Sequence, residues 1–467
     1  MFAQLLTALS LKNTDSAWQS ILSASRLSNL WKSSTGLLSN FYSNVTIGSA
    51  LQKLGFWVVV ILFACLPLPS FTNDKEGLAI ILLASAAIWL LGTILGGKER
   101  PNTNTIDLLI IAYAGINLIA AASSHYFGES LRGLAKVYVY LIGYFLFSAQ
   151  ISNNWRRRMV LVGVLLGVST LVSIYGLYQY KIGVAPLATW EDPSIEDKAT
   201  RIYATLNNPN LLAGYLVPIV PLAGALAMGA LARQKWLLSL VPLSIFGLTA
   251  LATVLTGSRG GYLGLFGGLA FLLLILGSFL WQRRPKLRPW LGTLIVLIPL
   301  SLLLAIHFAP TFEHRIMSIF AGREHSSNSY RLNVWLSSLS MFKDNWWIGV
   351  GVGNQAFRLA YGLYMRSGFD ALGTYCVPLE VAVETGALGL CVFALLVIAC
   401  LARAHLSFWA PQPTLHRYLT AGAAASLVGL MIHGLVDTVF YRPQVQFIFW
   451  LMIALLAKSG DANDEKA

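Results

Sequence analysis

"TYCVPLEVAVETGALGLCVFALLVIACLAR", residues 374–403, is a long apolar run entered through two acids. Residues 383–403 have the length a helix needs to cross a hydrocarbon core, about 17–25 residues. Their hydrophobicity is continuous and does not alternate, which excludes a barrel strand. Glu380 and Glu384 lie four apart, so they share one face of a helix. Pro378 suits a first helical position, and Gly386 and Gly389 thin the helix just beyond. This stretch therefore reads as a membrane-spanning helix with carboxylates at its mouth. Ionisable groups in such segments are costly and mark functional candidates.

The rest of the chain extends the same pattern. Of 467 residues, 56% are hydrophobic and 11% charged, against about 25% charged in a soluble domain. About twelve apolar runs are long enough to span: 55–72, 77–97, 106–123, 132–150, 159–180, 210–232, 236–256, 261–281, 290–308, 383–403, 418–438 and 443–458. The expected fold is an all-α integral membrane protein with about 12 transmembrane helices and a large external loop. Residues 1–54 form a cytoplasmic or interfacial segment, 55–308 carry helices one to nine, 309–382 form the external loop, and 383–467 carry the last three helices and a short tail.

The net charge of +13 sits mostly in the connections. Lys98 with Arg100, Arg156 to Arg158, Arg233 with Lys235, Arg283 to Arg288, and Arg403 with Arg417 follow the even-numbered runs. The positive-inside rule assigns those connections, and with them both termini, to the cytoplasm. The charge thus sets topology, and no nucleic acid is expected as a partner. The first residues show no charged n-region ahead of a cleavable core, so no signal peptide is expected. The four cysteines show no metal-like spacing. Neither an HExxH pattern nor a P-loop is present, so no metal or nucleotide cofactor is expected.

That topology leaves two external segments, 181–209 and 309–382. From Arg331 apolar residues recur at Leu332, Trp335, Leu336, Leu339, Phe342 and Trp346, with Ser337 and Ser338 on other faces. This predicts an amphipathic helix on the outer leaflet. "GVGVGN", residues 349–354, lacks the βαβ context of a dinucleotide fingerprint and reads as a flexible or tightly turned connection. The polar groups of the spans converge on the same side. Arg259 sits in "TGSRGG" at an outer turn, His433 and Asp437 lie four apart near the end of the eleventh run, and Lys136 follows Arg132 by one turn. Arginines there suit an anion. Glu380, Arg201 and Asn208 are supporting candidates, and Tyr375, Glu384, His433 and Asp437 are the candidate acid–base groups. A transporter and a transferase using a lipid-linked donor both fit, the large loop favouring the second.

Several stretches resemble a known superfamily. "TGSRGG", "GREHSSNSYRLNVW", "NWWIGVGVGNQAF" and "VPLEVAVETGALGL" are similar to those of the O-antigen ligase and polymerase superfamily. "NNPNLLAGYLVP", "YCVPLEVAVE" and "HGLVDTVFYRP" resemble the cyanobacterial inorganic-carbon (bicarbonate) transporter B family within it. The resemblance implies a multi-pass protein of the bacterial inner membrane, in contact with membrane lipids and acting on an anionic substrate. The closer resemblance is to the transporter family, which implies bicarbonate as that substrate and a role in inorganic carbon accumulation, with a ligase as the alternative. For a ligase it is a glycan on undecaprenyl pyrophosphate, transferred without metal. Arg259 matches the arginine of the family's Ser-Arg-Gly turn, and Arg331 the arginine of its external helix. The ligase histidine is expected nine residues before Glu384, where Tyr375 stands. A phenol with a pKa near 10 poorly replaces an imidazole near about 6.5.

Overall fold

The computed structural model describes residues 2–25, 45–69, 76–96, 103–185, 200–289, 292–293, 326–411 and 413–460. Its helices are α1 (Phe2–Leu9), α2 (Asp15–Ala24), α3 (Val45–Cys65), α4 (Glu76–Ile94), α5 (Thr105–Ala122), α6 (Phe127–Ile151), α7 (Trp155–Ile182), α8 (Pro209–Leu216), α9 (Ile219–Ala232), α10 (Trp236–Leu255), α11 (Arg259–Arg283), α12 (Ser326–Asp344), α13 (Asn354–Tyr361), α14 (Val377–Trp409), α15 (Thr414–His433) and α16 (Pro443–Ala457). Among the described residues ten helical segments are long and apolar enough to cross a membrane, with α8 and α9 counted as one, and α16 is a shorter apolar helix. The protein is an all-α, multi-pass membrane protein. The expected run 290–308 lies almost wholly outside the described residues.

Several boundaries differ from those expected, these three among them. The first spanning helix begins at Val45 and not at 55. Gln52 is buried there and donates to Thr93 Oγ1 at 2.9 Å, so its amide is absorbed by the α3–α4 contact while Lys53 stays exposed. α14 begins at Val377, ahead of the expected 383, because Glu380 and Glu384 are themselves buried in its first turns. α15 stops at His433, short of 438, with Gly434 as its C-cap.

The bundle is organised around α16. Every residue of α16 except Gln446 is buried, and it packs against α6, α14 and α15. Surrounded by protein, it carries apolar side chains on all faces, including Phe447, Phe449 and Trp450. Small residues let other helices approach closely: a Cβ on Gly264 of α11 would stand 2.8 Å from the Gly429 carbonyl of α15.

The two ends of the bundle differ. At one end α1 and α2 are pinned to the spans. Arg403 Nη2 meets Asp15 Oδ1 at 2.6 Å, and Arg403 Nε donates to the Ser10 carbonyl at 2.8 Å. The same Asp15 oxygen accepts from the Thr105 amide and hydroxyl, both at 2.8 Å. At this end Lys458 also pairs with Asp107 at 3.8 Å, and Tyr144 donates to Asp107 at 2.6 Å. The opposite end bears α12, α13 and the turns that hold the candidate residues.

Candidate functional site

Glycine decides the backbone at the loop-bearing end. α14 is not continuous: Gly386 has φ 70° and ψ −171°, which breaks the helix after Thr385. The carbonyls this break releases do not remain open. Val350 donates its amide to the Val383 carbonyl at 2.9 Å and Gly351 to the Glu384 carbonyl at 3.2 Å, while Ala387 donates to the Trp346 carbonyl at 2.7 Å. Residues 346–353 thus form a strap laid along the kink. Gly349, Gly351 and Gly353 all have positive φ, and a Cβ on Gly349 would meet Glu384 backbone at 2.5 Å. On its other side the strap is held by Ser124 Oγ donating to the Val350 carbonyl (2.6 Å) and by the Val352 amide donating to Ser130 Oγ (2.7 Å). The alternate glycines are tightly turned and packed, and the flexible reading does not hold.

α12 begins at Ser326, so Arg331 lies in its second turn and does not open it. Its inward face is Val334, Ser337, Ser338 and Met341, all buried, whereas Leu336, Leu339 and Trp346 are exposed. Small serines let the helix sit close to the protein, and of the apolar stripe Leu336 and Leu339 face outward while Leu332, Trp335 and Phe342 are half-buried.

The end of α15 gathers the candidates. His433 is fully buried, and neither ring nitrogen has a hydrogen-bond partner among the described residues. The Ser-Arg-Gly turn lies against it, since a Cβ on Gly260 would stand 2.8 Å from His433 Cδ2. That turn is set by Ser258, the N-cap of α11, whose Oγ accepts from the Gly261 amide at 3.1 Å. Arg331 and Asp437 both act on His433 electrostatically, and both act on Tyr375. The two arginines, the histidine and Asp437 therefore share one locality, although they come from α11, α12, α15 and the turn after it. Asp437 is not an i,i+4 partner of His433 within a helix, because the helix ends at His433. Its Oδ1 accepts from the Thr438 amide at 2.8 Å.

Glu380 and Glu384 stand beside this group. Both are buried, and neither forms an ion pair among the described residues. Glu384 Oε1 accepts from Tyr441 at 2.8 Å. Glu380 Oε2 has no hydrogen-bond partner among the described residues. Asp437 lies within electrostatic reach of Glu380. Burial, then the two glutamates, holds the Tyr441 phenol above its usual range, so it stays a donor to Glu384.

Tyr375 has φ 55°, a left-handed conformation that a bulky residue adopts only under constraint. The constraint is visible next to it. Thr374 Oγ1 donates to the Cys376 carbonyl at 2.7 Å, and the Val377 amide donates to the Gly434 carbonyl at 2.6 Å. Its ring meets Tyr330 edge to face at 5.8 Å between centroids. Burial raises the Tyr375 phenol above its ordinary value, Tyr330 and Asp437 push the same way, and Arg331 opposes them. At neutral pH it is a hydrogen-bond donor and a poor base.

Two of the supporting candidates, Asn208 and Arg201, hold backbone turns. Asn208 is the N-cap of α8, its Oδ1 accepting from the Asn210 amide at 2.8 Å and from the Leu211 amide at 3.1 Å. Arg201 donates from Nε to the Thr256 carbonyl at 2.9 Å, which fixes the turn leading to Arg259. Tyr441 and Tyr330 were not legible as site residues: each is distant in sequence from the residue it supports, and no local spacing connects them. Among the described residues no group of three or more His, Cys, Asp or Glu side chains could hold a metal ion.

Residues 244–394 match the O-Antigen ligase family. The match runs from α10 to the kinked part of α14, and so includes Arg259, Arg331, Tyr375, Glu380 and Glu384. His433, Asp437 and Tyr441 lie beyond it. No curated protein matches the chain. This all-α, multi-pass membrane protein therefore carries an O-antigen ligase domain within residues 244–394.

Proposed function

We propose that the protein is a membrane-embedded glycan transferase of the O-antigen ligase type, moving a glycan from undecaprenyl pyrophosphate to an acceptor hydroxyl at the periplasmic face of the bacterial inner membrane. The observation that carries this reading is that the Arg259 turn and Arg331 both reach His433, beside three carboxylates. Two guanidinium groups suit a pyrophosphate, which they can hold through paired hydrogen bonds. Their charge also stabilises the leaving group as the anomeric bond breaks. The acceptor oxygen attacks the anomeric carbon, the carbon–oxygen bond to pyrophosphate breaks, and lipid pyrophosphate departs with the electron pair. The acceptor proton goes to Asp437, which is half-buried beside Tyr375 and His433. Tyr375 donates a hydrogen bond to the donor. The basic connections after the even-numbered runs support the periplasmic placement of the loop-bearing end.

Deletion of the gene in its bacterium tests the reading. Loss of surface polysaccharide with accumulation of its lipid-linked precursor is expected, with rescue by wild type and none by Arg259→Ala. Unchanged polysaccharide would sink the proposal. A second reading, bicarbonate transport for inorganic carbon accumulation, is favoured by Tyr375 standing where the ligase resemblance puts a histidine. The same arginines would then hold a small anion. Bicarbonate uptake into liposomes, lost in Arg259→Ala, decides for that reading, and uptake equal to protein-free vesicles decides against it. Tyr375→His separates the two further, since it restores an imidazole near pKa 6.5 to ligase machinery otherwise complete.

A further inference from the structure

The strap that holds α14 has a second side. There, between the start of α6 and the start of α13, lies an open cavity of about 400 Å³. Its walls are Glu129, Arg132 and Lys136 of α6 and Asn354, Gln355 and Leu359 of α13, with Gly133 and Gly353 at its floor. Those glycines are in backbone contact, a Cβ on Gly353 falling 2.7 Å from Gly133 Cα. The Gly353 amide in turn reaches the Glu384 carboxyl. Cavity and arginine site are thus neighbours separated by one layer of backbone.

The composition of the walls is specific. Arg132 Nη1 donates to Glu129 at 3.0 Å, which neutralises one cation and leaves donor and acceptor groups side by side. Lys136 makes no ion pair among the described residues, so the cavity keeps one net positive charge. Asn354 and Gln355 are polar, and Leu359 supplies an apolar wall. A bare polyanion would find one uncompensated cation there and no more. A polyol with a single acidic group uses the whole set: Glu129 accepts hydrogen bonds from hydroxyls, Lys136 pairs with the acid, and Leu359 covers a ring face. Cavities of about 300–1,000 Å³ hold ligands of small-molecule size, which here means one or two sugar rings.

We propose that this cavity binds an acidic saccharide, carrying a carboxylate or a phosphate, as the acceptor subsite of the transfer. The assignment as acceptor rests on the transferase reading above; the binding does not. A transferase needs its second substrate next to, and apart from, the lipid-linked donor, and the strap provides that separation.

Ligand-observed NMR titration of the purified full chain in detergent, with glucuronate, glucose 6-phosphate and glucose as probes, tests it. Either acidic sugar should bind with glucose at least about tenfold weaker, the effect of one charged hydrogen bond. Binding by one acid and not the other identifies carboxylate or phosphate as the recognised group. Lys136→Glu, a change at an exposed position, should weaken the acidic sugar by about tenfold or more. No binding of either acid, equal binding of glucose, or binding unchanged in Lys136→Glu would overturn the proposal. Binding that behaves as expected in a protein that transfers no glycan supports the subsite and removes the transferase reading. Transfer activity whose acceptor KM is untouched by Lys136→Glu does the reverse.

Discussion

Alanine in place of Gly351 probes the strap at its tightest point. The new Cβ would stand 2.4 Å from Ser124 Oγ and 2.7 Å from Ser130 Oγ. These are the two hydroxyls that hold the Val350 carbonyl and the Val352 amide. The backbone has to move away from α6, and both hydrogen bonds go with it, at about 0.5–1.5 kcal/mol each. Holding alanine at φ 112° costs about 1–3 kcal/mol more. The unfolded chain loses some freedom, which offsets about 0.4–1 kcal/mol. A net destabilisation of about 2–5 kcal/mol is expected. Thermal unfolding of the purified chain, followed by tryptophan fluorescence, reads the loss, and hydrogen exchange at the Val352 amide locates it. Gly163→Ala in α7 is the control: nothing lies within 4 Å of its Cβ, and helix propensity alone favours alanine by about 1 kcal/mol. If Gly351→Ala melts with the wild type and Val352 stays protected, the strap is not held as described.

Tyr441→Phe leaves the buried Glu384 carboxyl without its 2.8 Å donor and should cost about 1–3 kcal/mol in the same unfolding assay; an unchanged midpoint would show that another group holds Glu384. Arg259→Lys and Arg331→Lys should each reduce glycan transfer at least about tenfold, because an ammonium cannot make the paired hydrogen bonds of a guanidinium; full activity in both refutes pyrophosphate recognition by these residues. Asp15→Asn strips Arg403 of its charge partner and, with the Asp15 side chain 22% exposed, should cost about 1–3 kcal/mol, read as faster hydrogen exchange in α1 and α2. The raised Tyr375 phenol contributes stability present below about pH 10 and lost as pH rises through its folded value. Tyr375→Phe should therefore reduce the alkaline loss of stability, measured as unfolding midpoints on either side of about pH 10; identical alkaline losses would contradict it.

The spanning helices were legible because long apolar runs have one physical solution in lipid. Their ends were less so, and the reason is local. Gln52 reads as part of a polar stop until α4 supplies Thr93 as partner, and Glu380 with Glu384 read as the open mouth of a span until Tyr441 and the strap surround them. The candidate residues themselves were found by depth, since alternation of the spans puts Arg259, Arg331, His433 and Asp437 at one end. Their grouping was not legible. It depends on Gly260 lying against His433 and on a helix that stops at residue 433, and neither follows from spacing. The glycines of residues 349–353 showed that something unusual happens there, but glycine permits both looseness and close approach. Only the partners Ser124, Ser130 and Glu384 decide between them.

The clasp between Asp15 and Arg403 has a bearing on how the molecule is made. Asp15 is synthesised ahead of the spanning helices described above, whereas Arg403 follows 388 residues later. At about 5–20 residues per second the ribosome needs about 20–80 s to cover that distance. For that interval α2 waits at the membrane surface with its carboxylate in water, and α14, the ninth of the ten long apolar segments described, must be threaded before the clasp can close. The beginning of the chain is therefore among the last parts to find its place, and its docking reports that nearly the whole bundle has been inserted.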